Sequence, residues 1–81
     1  MTREQLRLIV NEALGDVAPE ATPDTVSDDN DLREAFDIDS IGFLEFVTTL
    51  HERLGVDIPE IDYPLLRTRA TLLDYLTRHV V

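Results

Sequence analysis

Ser40 is the residue of this chain best placed to do covalent chemistry. It lies in Asp37-Ile38-Asp39-Ser40-Ile41, where a polar segment gives way to an amphipathic stretch. Its hydroxyl is therefore expected at the mouth of a helix, flanked by acids. Asp39 can accept hydrogen bonds from the free amides of the first helical turn. Those amides and the helix dipole would also favour a phosphate on the serine oxygen. Two readings follow: a serine that another enzyme modifies and that then carries a group, or a plain helix cap made by Asp39 and Ser40. An Asp-Ser pair before a helix is common, so the dipeptide does not choose between them.

Distance rules out His51 as the base of a self-contained hydrolase. His51 follows Ser40 by eleven residues on the same expected helix, on the order of 16 Å at 1.5 Å per residue. A general base must come within about 3 Å of its nucleophile. His79, near the C-terminus, has no carboxylate in its segment placed to orient it, and both histidines are read as surface residues. The acidic run Asp28-Asp29-Asn30-Asp31 invites a calcium loop, which needs glycine at its sixth position and glutamate at its twelfth. Counting from Asp29 puts Glu34 sixth. Counting from Asp28 puts Arg33 sixth and Asp39 twelfth, so both registers fail and no metal site is assigned.

Composition narrows the function further. The chain has 81 residues, read as one domain over 1–81, near the lower limit for a core that folds unaided. It can present a surface but hardly enclose a substrate, so the expectation is a protein that is not an enzyme. Without cysteine there is no disulfide, thiolate nucleophile or zinc-thiolate site. A reducing cytoplasm fits that usage, and Met1-Thr2-Arg3-Glu4-Gln5 lacks the apolar run of a secretion signal. No segment approaches the roughly 20 apolar residues of a membrane span. Seventeen acids face seven arginines and no lysine, for a formal charge of −10. That charge repels nucleic acid and favours basic protein partners.

The elements that must hold Ser40 are legible from periodicity. Thr2 and Gln5 have capping-box spacing, and Leu6, Ile9, Val10, Ala13 and Leu14 recur at helical intervals, predicting a helix over about 3–14 with Gly15 as its stop. Residues 15–38 read as a long loop anchored by Val26, Leu32, Ala35 and Phe36, with a short helical turn over Asp31–Ala35. A second main helix is predicted over Ser40–Leu54, stopped by Gly55. At 100° per residue, Phe43, Phe46, Val47, Leu50 and Leu54 fall in one arc of roughly 100°. Ile41, Leu44, Glu45, Thr48 and Glu52 lie opposite, and geometry leaves two readings of them: an apolar patch rimmed by charge that marks a contact surface, or ordinary exposed aliphatics. Val56-Asp57-Ile58-Pro59 reads as an extended link, and Ile61–Leu66 as one or two helical turns limited by Pro64. Thr68 caps a last helix with Leu72, Leu73, Tyr75, Leu76 and Val80 on its apolar face. The fold class is all-α: three main helices, one short helix, and a long loop after the first helix.

Taken in order, these pieces resemble an acyl carrier protein over almost the whole chain. The pattern is Asp39-Ser40-Ile41 opening a helix, Glu45-Phe46 within it, Glu52-Arg53-Leu54 at its end, Ile58-Pro59, and Thr68 with Leu72, Tyr75 and Leu76 in a closing helix. The resemblance implies that a phosphopantetheinyl transferase attaches 4'-phosphopantetheine to Ser40, with Asp39 in a supporting role. The arm's thiol then carries acyl groups as thioesters, which supplies thiol chemistry to a chain without cysteine. It also implies that Ile41, Leu44, Glu45, Thr48 and Glu52 face partner enzymes: an acyl-loading ligase or acyltransferase, a ketosynthase or another acyl-processing enzyme. The chain is expected to act as a monomer. Housekeeping fatty-acid carriers carry Asp-Ser-Leu-Asp and a late run of acids, whereas Ile41-Gly42 and His51-Glu52-Arg53 stand here. That departure favours a specialised lipid, polyketide or related pathway over housekeeping fatty-acid synthesis. Phe36-Asp37-Ile38 in place of a glycine-rich approach argues against an aminoacyl or peptidyl carrier, and a D-alanyl carrier stays an alternative. The reading from another class is an unmodified acidic adaptor that uses the same helix only for binding.

Overall fold

The computed structural model describes residues 1–80. The helices are α1 (Arg3–Val17), α2 (Leu32–Ala35), α3 (Ser40–Leu54) and α4 (Arg69–His79), with 3₁₀ turns at Pro23–Thr25 and Glu60–Leu66. The all-α class and the three-plus-one helix count agree with the reading from sequence. Thr2 forms the expected capping box with Gln5, and Thr68 forms one with Thr71. Gly55 adopts the left-handed conformation at the end of α3, where its φ of 67° suits a residue without a Cβ.

Two local expectations are corrected. Gly15 does not stop α1, which runs on to Val17. A mid-helix glycine costs only about 1 kcal/mol, and the added turn brings Val17 against the core. The stop comes from Pro19, which excludes helical geometry at Ala18 before it (φ −138°, ψ 72°). Ala35 is exposed and anchors nothing. Leu32, Phe36 and Ile38 are the buried side chains that fix this end of the loop.

One apolar cluster joins all four helices. Leu6, Val10, Ala13 and Leu14 of α1 meet Phe43, Phe46, Val47 and Leu50 of α3, closed by Leu72, Leu73, Tyr75 and Leu76 of α4. Leu54 and Val80 are half-buried at its edge. Arg53 reaches back to Glu12 of α1 at 2.6 Å, tying the two helices outside the core. Pro64 sits inside the second 3₁₀ turn rather than at its border. That turn is held to α4 by a 2.8 Å hydrogen bond from the Tyr75 hydroxyl to Asp62.

The long loop is pinned by a buried arginine. Arg69 is 2% exposed. Its Nε donates to Asp28 at 2.7 Å, and Nη1 donates to Asn11 Oδ1 at 2.8 Å and to the Pro23 carbonyl at 2.9 Å. Nη2 donates to the Val26 carbonyl. Arg7 grips the same Asp28 with two bonds of 2.8 and 2.6 Å. Thus two of the acids in the calcium-like run serve the fold: Asp28 in this pair, and Asp31 as the cap of α2.

These contacts make stability depend on acid. Hydrogen bonds from Arg7 hold the Asp28 carboxyl well below the usual carboxylate range, against the opposing effect of burial, with Arg69 adding to the shift. Because the folded value lies below the unfolded one, the contribution is complete above a pH of about 4 and is lost as pH falls toward the folded value. Asp28→Asn should therefore lower the urea midpoint at neutral pH. The gap between wild type and variant should narrow as the pH is taken from about 5 to about 2. A constant gap in a urea series at several pH values would show that Asp28 is not the titrating group.

Candidate functional site

The approach to Ser40 is set by α2. The Asp31 carboxylate accepts hydrogen bonds from the Arg33 and Glu34 amides at 3.0 and 3.2 Å, capping the turn. Its other oxygen accepts from Arg67 Nε at 3.0 Å. The Glu34 amide is the largest of the influences that lower its pKa. The Leu32 amide donates to the Arg67 carbonyl at 2.8 Å, so α2 is stitched directly to the segment leading into α4. Phe36 then drops into the core, and Asp37 turns the chain with a φ of 52°. Aspartate tolerates this left-handed geometry better than most residues with a side chain.

Asp39 is the cap of α3, and Ser40 is the first residue of the helix. Asp39 Oδ1 accepts from the Gly42 amide at 2.7 Å. The Ser40 hydroxyl is thus not needed for capping, which separates the two roles that the dipeptide left mixed. Ser40 is exposed, and its Oγ accepts a hydrogen bond from Arg33 Nη2 at 3.1 Å. Arg33 Nε donates to the Ile38 carbonyl at 3.4 Å, and the guanidinium lies 5.8 Å from the Phe43 ring centre. Phe43 meets Tyr63 edge-on at 5.6 Å. A groove of about 350 Å³ opens beside the serine, lined by Arg33, Ser40, Phe43, Leu44, Glu60 and Tyr63.

Neither histidine approaches this hydroxyl by hydrogen bond. His51 Nδ1 lies 3.0 Å from the Val56 carbonyl and 3.1 Å from Asp57, and His79 stacks on Tyr75 at 4.1 Å. The hydroxyl is thus exposed, with a guanidinium donor and neither histidine bonded to it.

The five residues assigned to a partner face are all exposed along α3: Ile41 and Leu44, at 71% and 55%, with Glu45, Thr48 and Glu52. Thr48 spends its hydroxyl on the Leu44 carbonyl at 2.9 Å. Two features of the neighbourhood escaped sequence reasoning. Ile61 and Leu65, on the second 3₁₀ turn, expose large aliphatic side chains. The turn is too short for periodicity to say which of its side chains face out. Arg33 was the other omission. A short turn over Asp31–Ala35 was expected, but nothing local could aim the Arg33 side chain at a serine beyond a left-handed turn.

Gly42 also has a structural explanation. A Cβ built there would stand 3.0 Å from Ile38 Cγ2 and 3.3 Å from Asp39 Oδ1. The glycine lets the cap and the buried Ile38 close over the first turn. Gly42→Ala should therefore fail to deliver the ~1 kcal/mol that alanine offers within a helix. A thermal melt is expected to show no gain or a loss. A clear rise in melting temperature would mean that Ile38 moves aside freely.

Residues 4–76 match the family described as "Phosphopantetheine attachment site". An acyl carrier protein from Acidothermus cellulolyticus is 27% identical over 81 residues, spanning all of this chain and 95% of that relative.

Proposed function

This chain belongs to the phosphopantetheine attachment-site family, an acyl-carrier-type protein whose cofactor is covalent 4'-phosphopantetheine, and from that premise we propose that Ser40 is where the arm is joined. The observation that carries the proposal is an exposed hydroxyl at the first position of α3, left free of capping because Asp39 makes the cap. The groups fit the cofactor. A phosphodiester needs an accessible oxygen to attach to and a donor beside its new charge, and Ser40 and Arg33 supply these. When bound, the arm supplies a terminal thiol that holds acyl groups as thioesters. The chain's own part is to anchor the arm, keep its base in water and present a docking surface.

Carrier domains of this family are not catalytic, and on the present reading residues 1–81 form one carrier domain that serves as substrate for other enzymes. The first is a phosphopantetheinyl transferase. The others are an acyl-loading ligase or acyltransferase, and a ketosynthase or similar acyl-processing enzyme. Among the described residues no helix is long and apolar enough to cross a membrane, and we place the protein in the cytoplasm as a monomer. A specialised lipid, polyketide or related pathway is favoured over housekeeping fatty-acid synthesis by Ile41-Gly42 after the serine. The charge pattern of α3 supports this too, since Arg53 pairs with Glu12 and His51 turns toward Asp57. The helix therefore lacks a continuous acidic end.

Incubation of apo protein with coenzyme A and a promiscuous phosphopantetheinyl transferase should add one arm, read by intact mass. Ser40→Ala should abolish the gain and keep the helical circular dichroism. Modification that persists in Ser40→Ala overturns Ser40 as the attachment point, and a wild type that no transferase modifies favours the unmodified adaptor instead.

The partner face has its own test. Glu45→Arg with Glu52→Arg should slow transfer to Ser40 by about tenfold at low salt, with less effect at high salt, because steering by a basic partner is lost. Leu44→Ala should weaken docking while the melting temperature holds. Leu50 is fully buried, so Leu50→Ala should instead cost about 2–5 kcal/mol of stability. If Leu44→Ala unfolds the protein, the outward face of α3 is wrongly assigned.

A further inference from the structure

Arg33 stands apart from most of the arginines. Arg3, Arg7, Arg53, Arg67 and Arg69 each form an ion pair with a carboxylate. Among the described residues Arg33 forms none, in a chain with seventeen acids to seven arginines. Its guanidinium is spent on a neutral hydroxyl, Ser40 Oγ at 3.1 Å, and on the Ile38 carbonyl at 3.4 Å. It is also kept in place by the Phe43 ring face at 5.8 Å. Asp31, Glu34 and Asp37 line a hollow beside Arg33, Glu60 is the acid in the groove that holds Ser40, and Asp39 precedes the serine in the chain. An anion joined to the serine would meet repulsion there unless a cation stood at the same oxygen.

Resting on the reading of Ser40 as the attachment point, we infer that Arg33 is a built-in counter-ion for the phosphodiester, holding the base of the arm against α2. A guanidinium already donating to the bridging oxygen is one short step from the phosphoryl oxygens that join it. Charge-assisted bonds from a guanidinium to phosphate are stronger than the neutral bond it now makes. No proton moves and no bond is made or broken by Arg33. Its role is positional: it sets the direction in which the arm leaves the helix, beside the groove lined by Phe43, Leu44 and Tyr63.

The test compares apo and modified forms of wild type and Arg33→Gln, with intact mass confirming the arm on each. In wild type the modified form should gain melting temperature over the apo form at low salt. Arg33→Gln should lower that difference by about 3 °C, as expected for one partly exposed ion pair in a domain this size. The effect should vanish at about 1 M salt. In wild type, attachment should also shift the Arg33 Nε–H cross-peak in a nitrogen–proton spectrum while leaving that of Arg78 in place, a readout that needs no variant. If both proteins take the arm but show the same apo-to-modified difference, and the Arg33 signal does not move, the counter-ion role is overturned and the carrier reading stands. If wild type takes no arm at all, the carrier reading itself fails and takes this inference with it.

Discussion

The arrangement around Ser40 depends on one buried cation. Arg69 lies at the start of α4, almost wholly removed from water, and bonds Asp28, Asn11 and the carbonyls of Pro23 and Val26. A buried guanidinium is tolerated only when its donors are met and its charge is balanced. Asp28 balances it, and Arg7 makes that carboxylate a bridge between α1 and α4. The loop after α1 is thereby fastened to two helices at once. Removing one partner would strand the other in a poorly solvated position, which is the costly way to break such a pair.

What the fastened loop delivers is the short helix α2, and α2 delivers Arg33. The loop passes from Asp28 to Asp31, where a single carboxylate caps α2 and holds Arg67. Leu32, Phe36 and Ile38 then lock the chain into the core on either side of the left-handed turn at Asp37. Ser40 emerges from that approach exposed, with the Gly42 amide already capped by Asp39.

The fold divides the chain's acids between paired and exposed positions. Asp28, Asp31 and Glu12 are internal ties between elements. Glu45 and Glu52 stay exposed on α3 among Ile41, Leu44 and Thr48, where their field is available to a basic partner. Net charge alone could not distinguish these uses. The distinction depends on which acids have an arginine within reach, and that is a property of packing.

Helical spacing carried much of the result. The capping box at Thr2, the caps at Thr68 and Asp39, the Gly55 stop and the inward arc of Phe43, Phe46, Val47 and Leu50 were all legible, because each rests on contacts within four residues or on one hydrophobic period. The serine and its outward-facing companions were legible for the same reason, and so was the resemblance built on them. The end of α1 was missed because a glycine inside a helix is a weak signal that core packing at Val17 overrides. The buried Arg69, the paired Asp28 and the contact from Arg33 to Ser40 were invisible in the sequence. Arginine and aspartate look solvated until partners 21, 41 and 58 residues away are brought beside them, and only the folded chain closes those distances. The sequence by itself determined most of the helices and singled out the serine proposed to bear the arm. The tertiary structure alone decided which charges would be buried, paired or left facing that residue, because electrostatic partners are chosen by proximity in space.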